Sequence, residues 1–312
     1  MNNKIELSHL KSFELYHLKF LCEAKGILAM PAFWGATFHG LFGRALHKQH
    51  CSQKTEECFN CFEKENCTYI KVFAPVPQAD YANKTKFIDM PRPVIFRKAM
   101  SEKAVIFPQE TFSFEIIIVG EAILYLNQIV DAFFIAAEMG IGRRRAKFQI
   151  NECMYKTEAS GNFEALYVGK VPKAMSLDNF NLPNSKNINL NFVTPLHLKD
   201  KNDYSVNPPA KLILSRIYER VCLLNHFYCG GELPENTDFQ KMEIPITHNL
   251  YNFKFGRYNH KLNTWQKLIG RIGTISLKTE DKNIGNHLLF GQFVGVGKMA
   301  SMGCGMYRMS FE

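Results

Sequence analysis

The sequence predicts an α+β protein built from two tandem domains that each follow the ferredoxin-like plan of strand, helix, strand, strand, helix, strand. Hydrophobic periodicity gives this element order in the first half of the chain. The same order recurs in the second half, and each half ends with a helix, a glycine-rich turn with basic residues, and a strand. A polar, irregular stretch at 157–187 separates the halves and places a domain boundary near residue 185.

The first half, residues 1–185, contains one complete unit. Alternating apolar residues predict a strand over 13–22, and an apolar stripe with helical spacing predicts a helix over 34–50. The remaining predicted elements are strands at 93–97, 112–119 and 148–154, and a helix at 121–139.

The second half, residues 186–312, repeats this order although it shares little residue identity with the first. A pair of prolines at 208–209 opens a predicted helix that continues to residue 227. The other predicted elements are strands at 190–198, within 242–255, at 269–278 and at 306–311, and a short helix at 282–290.

The composition is that of a basic globular protein. The chain has 312 residues, of which 46% are hydrophobic and 21% charged, and this is enough for two cores. A formal net charge of +9, with 26 Phe and 12 Tyr, favours an acidic partner whose bases could stack on aromatic rings. Acidic and amide residues interrupt the apolar region 112–142, and no signal-peptide pattern follows Met1. We therefore expect a cytoplasmic protein with no membrane partner.

Four cysteines lie close together after the first predicted helix, in an insertion at 51–67: Cys51, Cys58, Cys61 and Cys67. Two cysteines separated by two residues can bind one tetrahedral ion, and the outer pair can complete its shell. The spacing predicts a structural zinc site. Because the second pair is wider than in a standard zinc ribbon, an iron–sulfur cluster and free thiols are the alternatives.

The first predicted helix carries three histidines, His39, His47 and His50, together with Arg44 and Lys48. Histidine is the usual acid or base near neutral pH, so one of these side chains is a candidate catalytic base. Arg44 or Lys48 is the candidate electrostatic partner. The alternative is that these are solvated surface histidines with no catalytic role.

Glycine-rich segments with cations follow the second predicted helix of each half. Glycines at 291–305 leave backbone N–H groups open to a phosphate, and arginines follow the glycines of the first half. The alternative for the glycines at 291–305 is a tight turn, and the alternative for the arginines of the first half is a solvated face. A basic and aromatic patch around Trp265 suits single-stranded nucleic acid. The predicted nucleic-acid-binding residues are Arg143, Arg144, Arg145, Lys147, Arg257, Lys267, Arg271, Gly295, Gly297, Lys298, Ser301 and Gly303.

Taken in order, several segments resemble the RAMP superfamily, and within it the CRISPR-associated endoribonuclease that processes precursor crRNA, the sixth in the Cas numbering. The resemblance covers nearly the whole chain. Its carriers are residues 38–46 leading into the four cysteines, 139–148, 194–198, 230–234, 257–258, 270–273 and 295–305.

This resemblance implies two ferredoxin-like, RRM-related domains side by side and cleavage of CRISPR repeat RNA with no catalytic cofactor. It implies that a histidine on or just after the first helix deprotonates the 2′-hydroxyl beside the scissile phosphate, which leaves a 2′,3′-cyclic phosphate and a 5′-hydroxyl. His47 and His39 are equal candidates for this base, with His50 third. The expected partners are repeat RNA, crRNA and a CRISPR effector complex. The alternative is a RAMP subunit that binds crRNA without cutting it.

Overall fold

The structure of the protein, a computed structural model, describes residues 13–53, 58–76, 90–142, 144–158, 161–167, 169–176, 186–200, 203–232, 243–259 and 263–312. The elements of the first half are β1 (Leu15–Ala24), β2 (Leu28–Ala29), α1 (Gly35–His50), α2 (Thr68–Val72), β3 (Val94–Arg97), β4 (Val105–Ile106), β5 (Thr111–Val119), α3 (Leu126–Met139), β6 (Phe148–Lys156) and β7 (Glu164–Ala165). Those of the second half are β8 (Asn187–Leu196), β9 (Lys199–Asp200), β10 (Asp203–Tyr204), α4 (Ala210–Cys229), β11 (Ile246–Asn259), β12 (Thr264–Lys278), α5 (Lys282–Val294) and β13 (Tyr307–Phe311).

Two antiparallel sheets form the framework, one in each half of the chain. The first has the strand order β3-β5-β1-β6-β7, and the second has the order β11-β12-β8-β13. In both sheets the strand that comes first in its half, β1 or β8, is central, between β5 and β6 or between β12 and β13. The second main strand of each half, β3 or β11, lies at an edge. This is the strand order of the predicted unit, and a mixed fold of helices and antiparallel sheets is confirmed.

One face of the first sheet packs against α1 and α3. Along β1, alternate residues such as Leu18 and Phe20 are buried on this face. Phe42 of α1 stacks on Phe133 of α3, with the ring centroids 4.6 Å apart. Full burial of a large apolar side chain stabilises a fold by about 1.5–3 kcal/mol. This layer therefore anchors α1, the helix that carries the candidate histidines.

Part of the opposite face of the first sheet packs against the second half. Ile95, Ile117 and Val119 belong to the same buried hydrophobic cluster as Leu224 of α4 and Phe290 of α5. The two halves therefore share a core, and the seam between them is a packed part of the fold.

The C-terminal glycine-rich loop crosses this seam and lies against the first half. Gly35, the first residue of α1, lies under the carbonyl oxygen of Met302, and a side chain at Gly35 would collide with that oxygen. Gly303 has φ 92°, and a Cβ there would lie 2.6 Å from the Cβ of Ala99 and 3.0 Å from the carbonyl oxygen of Phe96. Glycine at both positions permits this close approach.

The structure moves several predicted boundaries. Helix α5 continues to Val294, because Phe293 and Val294 are still buried, so the loop begins at Gly295 and not at residue 291. Strands β11 and β12 form one long hairpin, since Phe253 and Phe255 pack against the first half and extend the pairing beyond the predicted ends. The predicted domain boundary near residue 185 lies outside the described residues.

The helical segment Gly120–Met139 is long and apolar enough to cross a membrane, judged by length and composition alone. Ile129 and Phe133 on this segment are buried in the core between the first sheet and α1. A core helix passes the same test of length and apolarity. The expected absence of a membrane span remains a prediction.

Candidate nucleic-acid interface

The C-terminal loop, residues 295–305, is closed by its own hydrogen bonds. The Val296 N–H donates to the Gly305 carbonyl at 3.1 Å, and the Gly305 N–H donates to the Pro195 carbonyl at 2.9 Å. The Lys298 N–H donates to the His197 carbonyl at 2.9 Å. Much of the loop backbone is therefore engaged within the protein.

Burial limits which residues of this loop can contact RNA. Gly295, Ser301 and Gly303, which the sequence predicted to bind RNA, are buried, with Ser301 only 7% exposed. Gly297 is partly exposed and the Lys298 side chain is exposed. The glycines serve close packing, so RNA contact from this loop is expected from Gly297 and Lys298.

His39 lies on the inner side of α1 and is buried, with 4% of its surface exposed. Its ring centroid is 4.6 Å from that of Phe73 and 5.9 Å from that of Phe96. Burial, with the charges of Arg92 and Arg257 adding to its effect, lowers the pKa of His39 to about 3. Nε2 has no hydrogen-bond partner among the residues that the structure describes. His39 is therefore a neutral imidazole at pH 7, with a polar atom unsatisfied.

Phe73, just after α2, covers His39. Phe73 also lies against the backbone of Gly43, where a side chain would collide with its ring. The guanidinium of Arg92 lies 5.7 Å from the ring centroid of Phe73, and its Nε donates to the Phe73 carbonyl at 2.7 Å. Phe73 is partly exposed, so it forms a cover between the imidazole and solvent, with Arg92 against it.

The structure does not bring the three histidines together. His39 and His47 are eight residues apart, which corresponds to about 12 Å along an α-helix. His47 is half-buried, with its ring edge-on to Tyr69 at a centroid distance of 4.9 Å. Burial lowers the pKa of His50, and nearby Asp131 opposes this effect. Of the three, His39 lies on the turn of α1 that is nearest the C-terminal loop.

Arg257 of β11 lies where α1, the C-terminal loop and the end of β8 meet. Its charge adds to burial in lowering the pKa of His39 and of His197. At Cys304, burial raises the pKa of the thiol and Arg257 opposes this effect. The Arg257 Nε donates to Oε1 of Gln266 across the hairpin at 3.0 Å. A predicted RNA-binding cation therefore lies within electrostatic range of a predicted catalytic base.

One face of the β11–β12 hairpin presents aromatic rings and cations. Tyr258 lies opposite Trp265, and these side chains are 44% and 60% exposed. Lys267, opposite Gly256, is exposed on the same face, and Arg271 is half-buried, where it donates to the Leu250 carbonyl at 2.9 Å. Exposed rings beside cations suit stacking of unpaired bases.

The helix side of the first half carries a separate basic groove. It has a volume of about 730 Å³ and is lined in part by Lys48, Arg145 and Lys147. Lys147 also pairs with Glu138 at 2.9 Å. Burial, with the charge of Arg145 adding to it, lowers the pKa of Arg44. Arg44 and Lys48 of α1 thus lie near Arg145 and Lys147, which follow α3.

Two further arginines of the same segment, Arg143 and Arg144, were predicted to bind RNA. Arg144 is exposed, so it is available to a phosphate. Arg143 lies outside the described residues.

The four predicted metal ligands are half-buried, and in the described part of the chain none of them forms a disulfide: Cys51, Cys58, Cys61 and Cys67. Burial raises the pKa of the Cys58 thiol, and the other three cysteines add to this shift, so they lie within electrostatic range. In the described part of the chain, no group of three or more His, Cys, Asp or Glu side chains is arranged to hold a metal ion. The geometry thus does not support the zinc site, which remains a prediction for elemental analysis.

Three residues near His39 or Arg257 were absent from the predicted site: Phe73 and Arg92 near His39, and His197 within electrostatic range of Arg257. Phe73 and Arg92 flank a proline-containing stretch whose path local periodicity does not give. His197 is 3% exposed, and its Nδ1 pairs with the Ile269 carbonyl at 2.8 Å. A polar residue at the end of an apolar strand was the available signal for His197.

Comparison with known proteins agrees with this architecture. A family model described as an N-terminal domain, AF_1859_N, matches residues 13–178. The family model of the CRISPR-associated endoribonuclease Cas6 matches residues 190–307. An uncharacterized protein of Archaeoglobus fulgidus is 24% identical over 319 aligned residues, covering 99% of both chains.

Solved structures share the fold at low sequence identity. A Cas6 product complex of Thermus thermophilus has a TM-score of 0.57 at 11% identity, covering 95% of this chain and 99% of that one. A partial Cas6-RT-Cas1–Cas2 complex has a TM-score of 0.58 at 13% identity, covering 96% of this chain and 46% of that one. The first model spans just over half of the chain and the second spans most of the rest, so the protein belongs to the AF_1859_N domain family and is a member of the CRISPR-associated Cas6 family.

Proposed function

We propose that this protein is a metal-independent endoribonuclease that cuts CRISPR repeat RNA to mature crRNA. The observation that carries the proposal is that α1, which bears His39, meets the C-terminal loop where Gly35 lies under the Met302 carbonyl, with Arg257 within electrostatic range of His39. Membership of the Cas6 family supports the substrate class.

RNA binding in this proposal uses the exposed basic surfaces. The hairpin face around Tyr258 and Trp265 stacks unpaired bases, while Lys267 and Lys298 contact phosphates. The groove beside Arg145 holds a further part of the backbone. Helix α1 bears Lys48 in this groove and contacts β11 of the hairpin, so a strand held at both surfaces would pass along α1.

The chemical step is an in-line transesterification. A neutral imidazole takes the proton of the 2′-hydroxyl, and the 2′-oxygen attacks the adjacent phosphorus. The bond from phosphorus to the 5′-oxygen breaks, and that oxygen takes up a proton. The products are a 2′,3′-cyclic phosphate and a 5′-hydroxyl. A guanidinium such as that of Arg257 stabilises the charge that develops on the phosphorane.

His39 is the base in this proposal, and it requires two changes on RNA binding. The cover formed by Phe73 has to move, because the imidazole is otherwise shielded from substrate. A phosphate near the ring then raises the pKa of His39 from its low value toward neutrality, since an anion favours the charged form. His47 is the alternative base, because it is less deeply buried.

A second candidate function is a non-cleaving subunit that holds crRNA in an effector complex. The burial of His39 favours this candidate, since a covered imidazole has no access to a 2′-hydroxyl. The basic surfaces would serve binding equally well in such a subunit.

Cleavage of a matched pair of RNAs separates the two candidates. The purified protein is incubated in EDTA with a CRISPR repeat RNA from the same genome, and with the same RNA carrying a 2′-deoxy nucleotide at the cut site. The nuclease proposal predicts cleavage of the first RNA only, with a cyclic phosphate end detected by mass spectrometry. Binding of both RNAs with no cleavage would select the subunit and refute the nuclease.

A further inference from the structure

The cover over His39 buries a polar atom at a cost. The His39 Nε2 is buried and has no hydrogen-bond partner in the described residues, and the Phe73 ring centroid is 4.6 Å from that of the imidazole. A buried nitrogen without a hydrogen bond is unfavourable, because it loses water and gains no partner. The closed arrangement therefore persists only if the contacts that hold Phe73 offset this cost.

Phe73 is held by α1 and by Arg92. Its ring packs against the backbone of Gly43, and its centroid is 6.0 Å from that of Phe42. The Arg92 guanidinium lies 5.7 Å from the centroid of the Phe73 ring, and the Arg92 Nε donates to the Phe73 carbonyl at 2.7 Å. A cation over an aromatic ring and a hydrogen bond from a charged donor are both attractive. Arg92 thus holds both the side chain and the backbone of Phe73.

An anion can move the Arg92 side chain while the backbone before it stays in place. The Tyr228 hydroxyl of α4 donates to the Pro91 carbonyl at 2.8 Å, which ties this segment to the second half. Arg92 is partly exposed, and Arg220 of α4 lies within electrostatic range of it. Two neighbouring guanidiniums repel each other and favour an anion beside them. A guanidinium also binds a phosphate more strongly than a neutral carbonyl, since both partners are then charged.

We propose that Arg92 is a latch: a backbone phosphate of the RNA binds its guanidinium in place of the Phe73 carbonyl, and Phe73 then moves off His39. This inference rests on the proposed function and names how its covered site is opened. Arg92 is a positioning residue, because it acts on the imidazole through Phe73.

Release of the latch also changes the charge around the imidazole. The charge of Arg92 adds to burial in lowering the pKa of His39. Movement of this charge toward a phosphate removes part of that effect, and exposure of the ring removes more of it. The same movement therefore uncovers the imidazole and makes it a better proton acceptor.

The test measures access to His39 by reaction with diethyl pyrocarbonate, which modifies accessible neutral imidazoles. Trypsin leaves His39 as the only histidine of the peptide 26–44, and His287 as the only histidine of the peptide 283–298. His287 is 3% exposed in the second half, so its labelling reports general unfolding. The quantity measured by mass spectrometry is the labelling of His39 relative to that of His287.

Two variants separate the latch from the cover. Phe73→Leu removes the ring, so His39 should be labelled with or without phosphate. Arg92→Gln removes the latch, and labelling of His39 in the free protein should rise by about 10- to 100-fold, the factor that one hydrogen bond from a charged donor supplies. Inorganic phosphate should raise labelling of the wild type above that in sodium chloride of equal ionic strength, and should not do so in Arg92→Gln. The matched control is Arg216→Gln, an exposed arginine of α4, which should behave as the wild type.

RNA affinity shows whether the anion is the RNA backbone. With a repeat RNA that carries a 2′-deoxy cut site, the slope of log K against log salt should fall by about 0.7 in Arg92→Gln and stay unchanged in Phe73→Leu. A response of His39 to inorganic phosphate with an unchanged slope in Arg92→Gln would mean that a free anion works the latch, and the inference would be wrong.

Wild-type labelling of His39 in Arg92→Gln would overturn the inference, as would an equal rise at His39 and His287. If the protein cuts RNA, Arg92→Gln should cut at no less than the wild-type rate at saturating RNA, since its cover is already open. A loss of about 10²-fold at saturation would make Arg92 a catalytic cation and contradict the latch. Phosphate-dependent labelling of His39, with the loss of slope, in a protein that never cuts RNA would support the latch and refute only the nuclease.

Discussion

The two glycine-rich turns of the molecule look alike in sequence and differ in structure. Around Gly142, the turn after α3 is exposed, and a Cβ there would meet nothing within 4 Å. Around Gly303, the turn after α5 is buried against Ala99 and the Phe96 carbonyl. Glycine content alone therefore does not indicate a phosphate cradle. The first turn offers charge to a ligand, and the second joins the two halves.

Unfolding free energies of matched alanine variants give the largest expected contrast. Gly303→Ala adds steric overlap with Ala99 to the strain of a positive φ, so we expect a loss of about 2–5 kcal/mol. Gly142→Ala has φ 71° but open space, so we expect a loss of about 1–2 kcal/mol. Urea denaturation measures both. Equal losses would mean that the C-terminal loop is not packed as described.

For RNA binding, we expect changes in the turn after α3 to have a larger effect than changes in the turn after α5. Arg144→Ala with Arg145→Ala removes two exposed cations, and the slope of log K against log salt should fall by about 1.4 for single-stranded RNA. Lys298→Ala removes the exposed lysine from the turn after α5, and the expected fall is about 0.7. Filter binding at several salt concentrations measures both slopes. A larger effect at Lys298 would restore the C-terminal loop as the main phosphate contact.

The smallest expected change in stability is at Gly40, which lies outside both turns. Gly40 lies on the partly exposed side of α1, and a Cβ there would have the Arg44 Nη1 at 3.9 Å as its neighbour. Gly40→Ala should stabilise the protein by about 0.5–1 kcal/mol, because alanine favours a helix more than glycine does. Thermal unfolding measures this change. If the variant is stabilised but binds RNA more weakly, the RNA backbone approaches α1 at Gly40.

Local pattern was sufficient for the main helices and strands and their order, but not for the short elements β2, α2, β4, β7, β9 and β10. The alternation that buries Leu18 and Phe20, and the stripe that buries Phe38 and Phe42, are properties of neighbouring residues, so they can be read from the sequence. The element order then fixed which strands could lie side by side. The extension of α5 to Val294 was missed because its last turn is stabilised by tertiary burial.

The candidate site was only partly predictable. The sequence singled out His39 and Arg257, but their proximity depends on how the two halves pack, which no local pattern contains. The same holds for the cover over His39, since Phe73 reaches α1 from a separate segment. Burial of Gly295 and Ser301 also follows from that packing.

The measurement that tests the central claim most directly is single-turnover cleavage of repeat RNA by His39→Ala and His47→Ala. If the imidazole at the seam is the base, His39→Ala should slow cleavage by about 10²- to 10⁴-fold while RNA affinity changes little, and His47→Ala should cut at close to the wild-type rate. Wild-type cleavage by His39→Ala would contradict the assignment of the active site to the seam between α1, Arg257 and the C-terminal loop.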